Sequence, residues 1–225
     1  MAECSKVEDG RGDAGDTVSA NLSTGPSCSG TDLLPAWSSF THTPFYCEEN
    51  VYLLCKKLSM LGLADPSALD LFVVFISNED KKLFKTGNQK RDKESLIWDL
   101  DSSLSFPLPL GKYVSETFRQ QLLLKSTFRR ILRVIHAPIF LRHFASNRTH
   151  MRDSLGNWIS PPPSYEPIIA HDGSENNIDE YIRMHAADVV TNINAAALGL
   201  YSSKYGVLIH EAMLQDFIAL LRGAS

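Results

Sequence analysis

One cysteine in this chain has the surroundings of a nucleophile. Cys47, in Phe45-Tyr46-Cys47-Glu48-Glu49-Asn50, falls where a helical pattern begins. A thiol at that position meets unpaired backbone N–H groups and the positive end of the helix macrodipole, which lower its pKa and favour thiolate. The same N–H groups can steady an oxyanion. Acyl chemistry at a thiolate also needs a base and a group that orients the base. Asp99, in Trp98-Asp99-Leu100-Asp101, is suited to orient a histidine as the third member of a Cys-His-Asp set. The base itself is not where it is wanted, because no histidine occurs between Glu48 and Asp99. Seven are available elsewhere: His42, His136, His143, His150, His171, His185 and His210. Of these, His150 alone sits in a polar cluster suited to face a cleft, in Asn147-Arg148-Thr149-His150-Met151. No Cys/His pair has zinc spacing and no phosphate-binding glycine loop is present, so neither a metal nor a cofactor is expected.

The elements that must hold these residues read as an α+β domain. Val51, Leu54, Cys55, Leu58 and Leu61 recur at helical spacing from Glu48 to Leu61, and Gly62 is a plausible stop. Cys55 lies within that apolar stripe and reads as a small core residue. Leu71 to Ser77 is β-branched and aromatic throughout, as expected of a strand covered on both faces. Leu96 to Asp101 alternates as a strand, with Leu96, Trp98 and Leu100 on one face and Ile97, Asp99 and Asp101 on the other, where a carboxylate can line a cleft. The lysine-rich stretch from Glu79 to Ser95 reads as an exposed connection. A helix is expected from about Lys112, carrying Val114, Phe118 and Leu122 inward, then a strand over Phe128 to His136 and a short helix over Pro138 to Ser146. Asn157 to Pro167, with three consecutive prolines, must be extended loop. Helices are expected over Ile178 to Met184, Ala186 to Leu198 and Glu211 to Leu221.

Composition narrows the function. A chain of 225 residues with 44% hydrophobic content supports one sizeable core. Residues 1 to 38 are rich in Ser, Gly, Asp and Thr and are expected to form a disordered tail, leaving a domain over 39–225. A net charge of -4 and a pI near 6.0 give no footprint for nucleic acid or an anionic membrane. No window is long and apolar enough to span a bilayer, and no signal peptide is legible. Four cysteines, two of them in the tail, form no disulfide framework, which points to a reducing compartment. Cytosol or nucleus is the expected location.

Five blocks carry a resemblance. Phe45-Tyr46-Cys47-Glu48-Glu49-Asn50-Val51-Tyr52, Val74-Phe75-Ile76-Ser77-Asn78-Glu79, Trp98-Asp99-Leu100-Asp101 before Phe106-Pro107, Phe144-Ala145-Ser146-Asn147-Arg148-Thr149-His150-Met151, and Gly156-Asn157-Trp158 before Pro161-Pro162-Pro163-Ser164-Tyr165 occur in order. Together they resemble the protein N-terminal glutamine amidohydrolase family over roughly residues 42 to 220. The resemblance implies a single-domain α-β-α sandwich like that of transglutaminases and papain-like enzymes. It implies deamidation of a protein's N-terminal glutamine to glutamate with release of ammonia, in the N-degron pathway, by a monomer without cofactor. Its partners would be proteins or peptides that begin with Gln. Carried over by motif, Cys47 matches the nucleophile and Asp99 the residue that orients the base. The family's histidine lies on a strand reading Trp-Asp-Tyr-His-Val between the Ile-Ser-Asn-Glu block and the aspartate strand. Here only Asp80 to Ser95 separates the two, so the chain resembles an internally deleted member that has lost both that strand and the base. Impaired catalysis is the expectation, with a non-catalytic binder of N-terminal Gln or an unstable isoform as alternatives.

Overall fold

The computed structural model describes residues 34–63, 70–77, 83–88, 94–118 and 130–223. The tail expected over residues 1–38 lies outside the described residues up to 33. Trp37, which composition placed in that tail, instead donates its indole N–H to the Leu100 carbonyl at 3.1 Å.

Helix α1 runs Cys47–Met60, and the chain leaves it through Gly62, whose φ of +65° suits a residue without Cβ. Strands β1 (Leu71–Ser77), β2 (Leu83–Asn88), β3 (Ser95–Ile97) and β4 (Leu108–Pro109) lead into helix α2 (Leu110–Thr117). Then follow β5 (Ile131–His136), α3 (Ala137–His143), α4 (Ile178–Ile182), α5 (Ile193–Leu200), β6 (Val207–His210) and α6 (Leu214–Gly223). The strands form one antiparallel sheet in the order β4-β3-β2-β1-β5-β6. As its composition required, β1 is an interior strand.

Helices cover both faces. The period-two alternation of a strand sends Phe72, Val74 and Ile76 to one side, where they pack with Leu132, Val134, Ile209, Tyr113 of α2, Leu200 of α5 and Phe217 of α6. Val73 and Phe75 point the other way, into a cluster with Val51 and Cys55 of α1, Phe140 of α3, Phe144 and Tyr181 of α4. A third cluster joins Leu54 and Leu58 of α1 to Phe40, Leu96, Trp98 and Leu100. That cluster matters most for the site, because it presses α1 against the segment carrying Asp99 and Asp101.

Several expectations change. The stretch Glu79–Ser95 is not merely a connection, since β2 lies within it and bridges β1 to β3. A short strand thus connects the Ile-Ser-Asn-Glu block to the aspartate segment. The strand expected over Leu96–Asp101 is hydrogen-bonded only over Ser95–Ile97, yet the alternation continues past its end, with Leu96, Trp98 and Leu100 all in the third cluster. Residues Ala186–Leu198 do not make one helix. A 3-10 turn at Ala186–Asp188 is followed by α5, capped by Asn192, whose side chain accepts from the backbone N–H of Asn194 and Ala195. The expected helix from Glu211 opens as a 3-10 turn and becomes α-helical at Leu214. Strand β6 went unread because only four residues, Val207–His210, carry its signal. Leu122, expected to face inward, lies outside the described residues.

One charged residue is buried against the sheet and fully used. Arg133 of β5 donates to the carbonyls of Tyr181, Tyr205 and Arg183 at 2.8, 2.8 and 2.6 Å, tying the α4 and β6 approaches to the strand. Phe140, completely buried, makes ring contacts with Tyr52, Phe75, Phe144 and Tyr181 and so joins α1, β1, α3 and α4. Replacing it with alanine is expected to cost about 3–5 kcal/mol, because a cavity remains among rings fixed from four directions. Urea unfolding of Phe140→Ala tests this, and a loss below about 1 kcal/mol would show that the neighbours collapse into the space.

Candidate active site

The chain turns sharply just before α1. Phe45 adopts a left-handed φ of +70° and is 71% exposed. Asn50, one turn into the helix, closes this turn by accepting from the Thr43 N–H at 2.8 Å and donating to the Thr43 carbonyl at 2.9 Å. Tyr46, fully buried, donates its hydroxyl to the Ser160 carbonyl at 3.1 Å. Cys47 is therefore the first helical residue, with its partners fixed on both sides, and it is only partly buried.

The next two residues are held by a segment about a hundred positions later. Glu49 is fully buried, and Arg148 meets it with two parallel bonds, Nε to Oε1 at 3.0 Å and Nη2 to Oε2 at 2.9 Å. The guanidinium spends further N–H groups on the carbonyls of Pro163 and Glu166 at 3.4 and 3.3 Å, and its plane lies 4.9 Å from the Tyr165 ring centre. Arg148 is itself left-handed, at φ +63°. Glu48 pairs with His150, Nε2 to Oε1 at 2.8 Å. Thus Phe-Tyr-Cys-Glu-Glu-Asn and Asn-Arg-Thr-His-Met, read separately in the sequence, dock on each other.

On the other side of the thiol stands the aspartate turn. The Asp101 carboxylate lies near enough to Cys47 to raise its pKa, and its Oδ1 is 2.7 Å from His42 Nε2. Asp99 faces elsewhere in the same turn. Its Oδ2 accepts from the Tyr113 hydroxyl at 2.7 Å and its Oδ1 from the Asp101 backbone N–H at 3.0 Å. Burial, and then Asp99, push the Tyr113 phenol far above its ordinary value.

These contacts correct the expected state of the thiol. Its pKa is pushed up to about 12, first by burial and then by the Asp101 carboxylate and Glu48; the lowering influence of the backbone N–H is outweighed. A helix terminus contributes about 0.3–1 kcal/mol, too little to offset desolvation plus an adjacent anion. Burial and the neighbouring carboxylates thus favour the thiol over the thiolate in the free protein.

The histidines distribute differently from the expectation as well. His150 addresses Glu48, whereas His42 stands at the carboxylate beside the thiol. His136 is buried in ring contact with Phe72 and Tyr201. Asp101 and His42 are not singled out by the sequence. For Asp101 a signal existed, since alternation placed it on the same face as Asp99. For His42 none did, because its meeting with Asp101 spans 59 residues. Among the described residues, no group of His, Cys, Asp and Glu is arranged to hold a metal ion, and no helix is long and apolar enough to cross a membrane.

The comparisons with known proteins follow the same residues. The family model for N-terminal glutamine amidase matches residues 42–86 and 82–218. The chain belongs to the N-terminal glutamine amidase family. A protein N-terminal glutamine amidohydrolase from Oryza sativa subsp. indica is 48% identical over 209 residues, covering 83% of this chain and 90% of that protein. One from Arabidopsis thaliana is 42% identical over 205 residues, covering 81% and 93%. One from Danio rerio is 36% identical over 171 residues, covering 68% and 83%. The amidase match falls into two pieces that overlap at residues 82–86, at the start of β2, and no histidine occurs there or anywhere between Glu48 and Asp99.

Two measurements bear on this geometry. Cys47, followed by mass spectrometry of its own peptide, is expected to react slowly with iodoacetamide near pH 8, and Asp101→Asn should speed the reaction by removing the adjacent charge. Equal rates in the two proteins would show that the carboxylate does not hold the thiol proton. The His150 pKa is raised, first by its hydrogen bond to Glu48 and against burial. Its folded value lies above the unfolded one, so the pair stabilises fully below the ordinary imidazole pKa of about 6.5, and that contribution is lost as pH rises through the higher folded value. Between about pH 6 and pH 8 the urea midpoint of the wild type should therefore fall further than that of His150→Gln. Parallel profiles would show that no imidazolium pairs with Glu48.

Proposed function

We propose that this protein acts on the side-chain carboxamide of an N-terminal glutamine, with Cys47 as nucleophile, and that its catalysis is slow relative to family members that carry the histidine. The observation that carries the reading is the partly exposed thiol at the first position of α1, facing the Trp-Asp-Leu-Asp turn inside the matched region. In the reaction, thiolate sulfur bonds to the carboxamide carbon. The C–N bond then breaks, ammonia leaves with a proton, and water hydrolyses the thioester to glutamate and free thiol. A histidine would take the thiol proton, give one to the leaving amine and then activate water. Asp99 is the candidate to orient such a histidine.

Two features support slow catalysis. The β2 strand reads Leu-Phe-Lys-Thr-Gly-Asn, with no histidine, and the thiol is held protonated by burial and Asp101. The helix-bearing cysteine packed on an antiparallel sheet, with helices on both faces, supports the papain-like and transglutaminase-like reading of the architecture. Action in the N-degron pathway, on Gln-initiated proteins in the cytosol or nucleus and as a monomer, belongs to the same proposal.

Ammonia release from a peptide beginning with Gln tests it. Turnover roughly 10⁴- to 10⁶-fold slower than that of a histidine-bearing relative is expected, as for loss of one member of a catalytic set, with the residue abolished in Cys47→Ala. Turnover comparable to the relative's and lost in Cys47→Ala would show that another histidine serves as base. Turnover that survives Cys47→Ala would remove the cysteine mechanism.

A further inference from the structure

An enzyme that distinguishes the first residue of a protein from the same residue inside a chain must recognise the α-ammonium group. A carboxylate within reach of the reacting carbon is the natural partner for that charge. Four carboxylates surround the first turn of α1, and three of them are engaged in ways that leave little to offer. Glu49 is fully buried and paired bidentately with Arg148. Glu48 is 8% exposed at its side chain and paired with His150. Asp99 receives the Tyr113 hydroxyl and the Asp101 backbone N–H. Asp101 differs from them, for its side chain is 38% exposed while it acts electrostatically on the thiol.

We propose that Asp101 binds the α-ammonium of the substrate's terminal residue. The proposal rests on the reading of the site given above and goes beyond it by naming the group that makes the reaction specific for a chain terminus. In glutamine, four covalent bonds separate the α-nitrogen from the carboxamide carbon. A carboxylate close enough to the sulfur to shift its pKa therefore lies at the range that lets one residue reach both. His42, with Nε2 at 2.7 Å from Oδ1, holds one carboxylate oxygen and leaves the other for the incoming group. His42 is itself steadied by the Trp37 ring, 5.5 Å away.

The arrangement also couples binding to chemistry. In the free protein burial and then the Asp101 charge favour the protonated thiol. An ammonium set against Asp101 offsets that charge, so that the thiol ionises more readily once a free chain terminus is seated. An internal glutamine, which brings no ammonium, leaves the thiol protected.

The test uses full-length Cys47→Ala protein, which cannot turn substrate over, and peptides labelled at their C-terminal end, followed by fluorescence anisotropy. A Gln-initiated peptide with a free amine is expected to bind about tenfold more tightly than its N-acetyl form, the factor a single charged hydrogen bond supplies. In Asp101→Asn on the same background the two peptides should bind alike. A second measurement needs no substitution at Asp101. Raising pH through the peptide's α-amino pKa, about 7.7–8.0, should weaken binding of the free-amine peptide and leave the acetylated one unchanged, the acetylated peptide controlling for changes in the protein itself. A preference for the free amine that survives in Asp101→Asn overturns the anchor, and if Gln is still preferred over Ala at the first position the functional reading stands. Equal binding of Gln- and Ala-initiated peptides overturns both.

Discussion

The candidate site depends on the buried pair between Glu49 and Arg148. A carboxylate with no exposed surface is tolerated only because a guanidinium meets it with two parallel bonds and spends its other N–H groups on carbonyls of the proline-rich loop. Removing one partner of such a pair typically costs about 3–5 kcal/mol, since the other charge is left buried and alone, whereas an exposed pair is worth about 0–1 kcal/mol. The interaction thus does more to specify position than the surface pairs elsewhere in the chain. It fixes the first turn of α1 to the segment Ser146–Met151, and that segment is fixed to the chain ahead by the reciprocal Ser146–Ile168 backbone bonds. Cys47 inherits its place from these constraints.

The second determinant is the competition at the sulfur. A helix N-terminus and an adjacent carboxylate act on the same thiol with opposite sign, and burial sides with the carboxylate. The outcome is a resting cysteine. It is compatible with a site that waits for a positive charge, and it costs the fold little, because the carboxylate remains partly hydrated and paired with His42.

The third is the apolar cluster of Leu54, Leu58, Leu96, Trp98 and Leu100. Its members come from α1 and from the aspartate segment, and no polar group in the site could substitute for it as the element that brings them together. Trp98 packs edge-on against Phe40 and Phe106, which locks the turn in which the carboxylates project away from the apolar side. The charge chemistry is presented by the polar face of a segment whose other face is core.

Much of this was legible without coordinates. The apolar stripe of α1, the doubly covered β1 and the alternation through Leu96, Trp98 and Leu100 are local periodicities, and local periodicity survives in the sequence. The helix-start position of Cys47 was readable for the same reason. By contrast, β2 and β6 are short strands whose identity comes from the neighbours they pair with, so composition alone reported a loop or nothing. Sequence by itself therefore determined the family, the candidate nucleophile, the lack of a histidine between Glu48 and Asp99 and the face on which the carboxylates lie. Only the tertiary structure decided that Glu49 answers Arg148, that Asp101 stands against the thiol with His42 behind it, and that the thiol stays protonated. Each of these is a balance between burial and charge across tens of residues, and burial is a property that a chain acquires only when it folds.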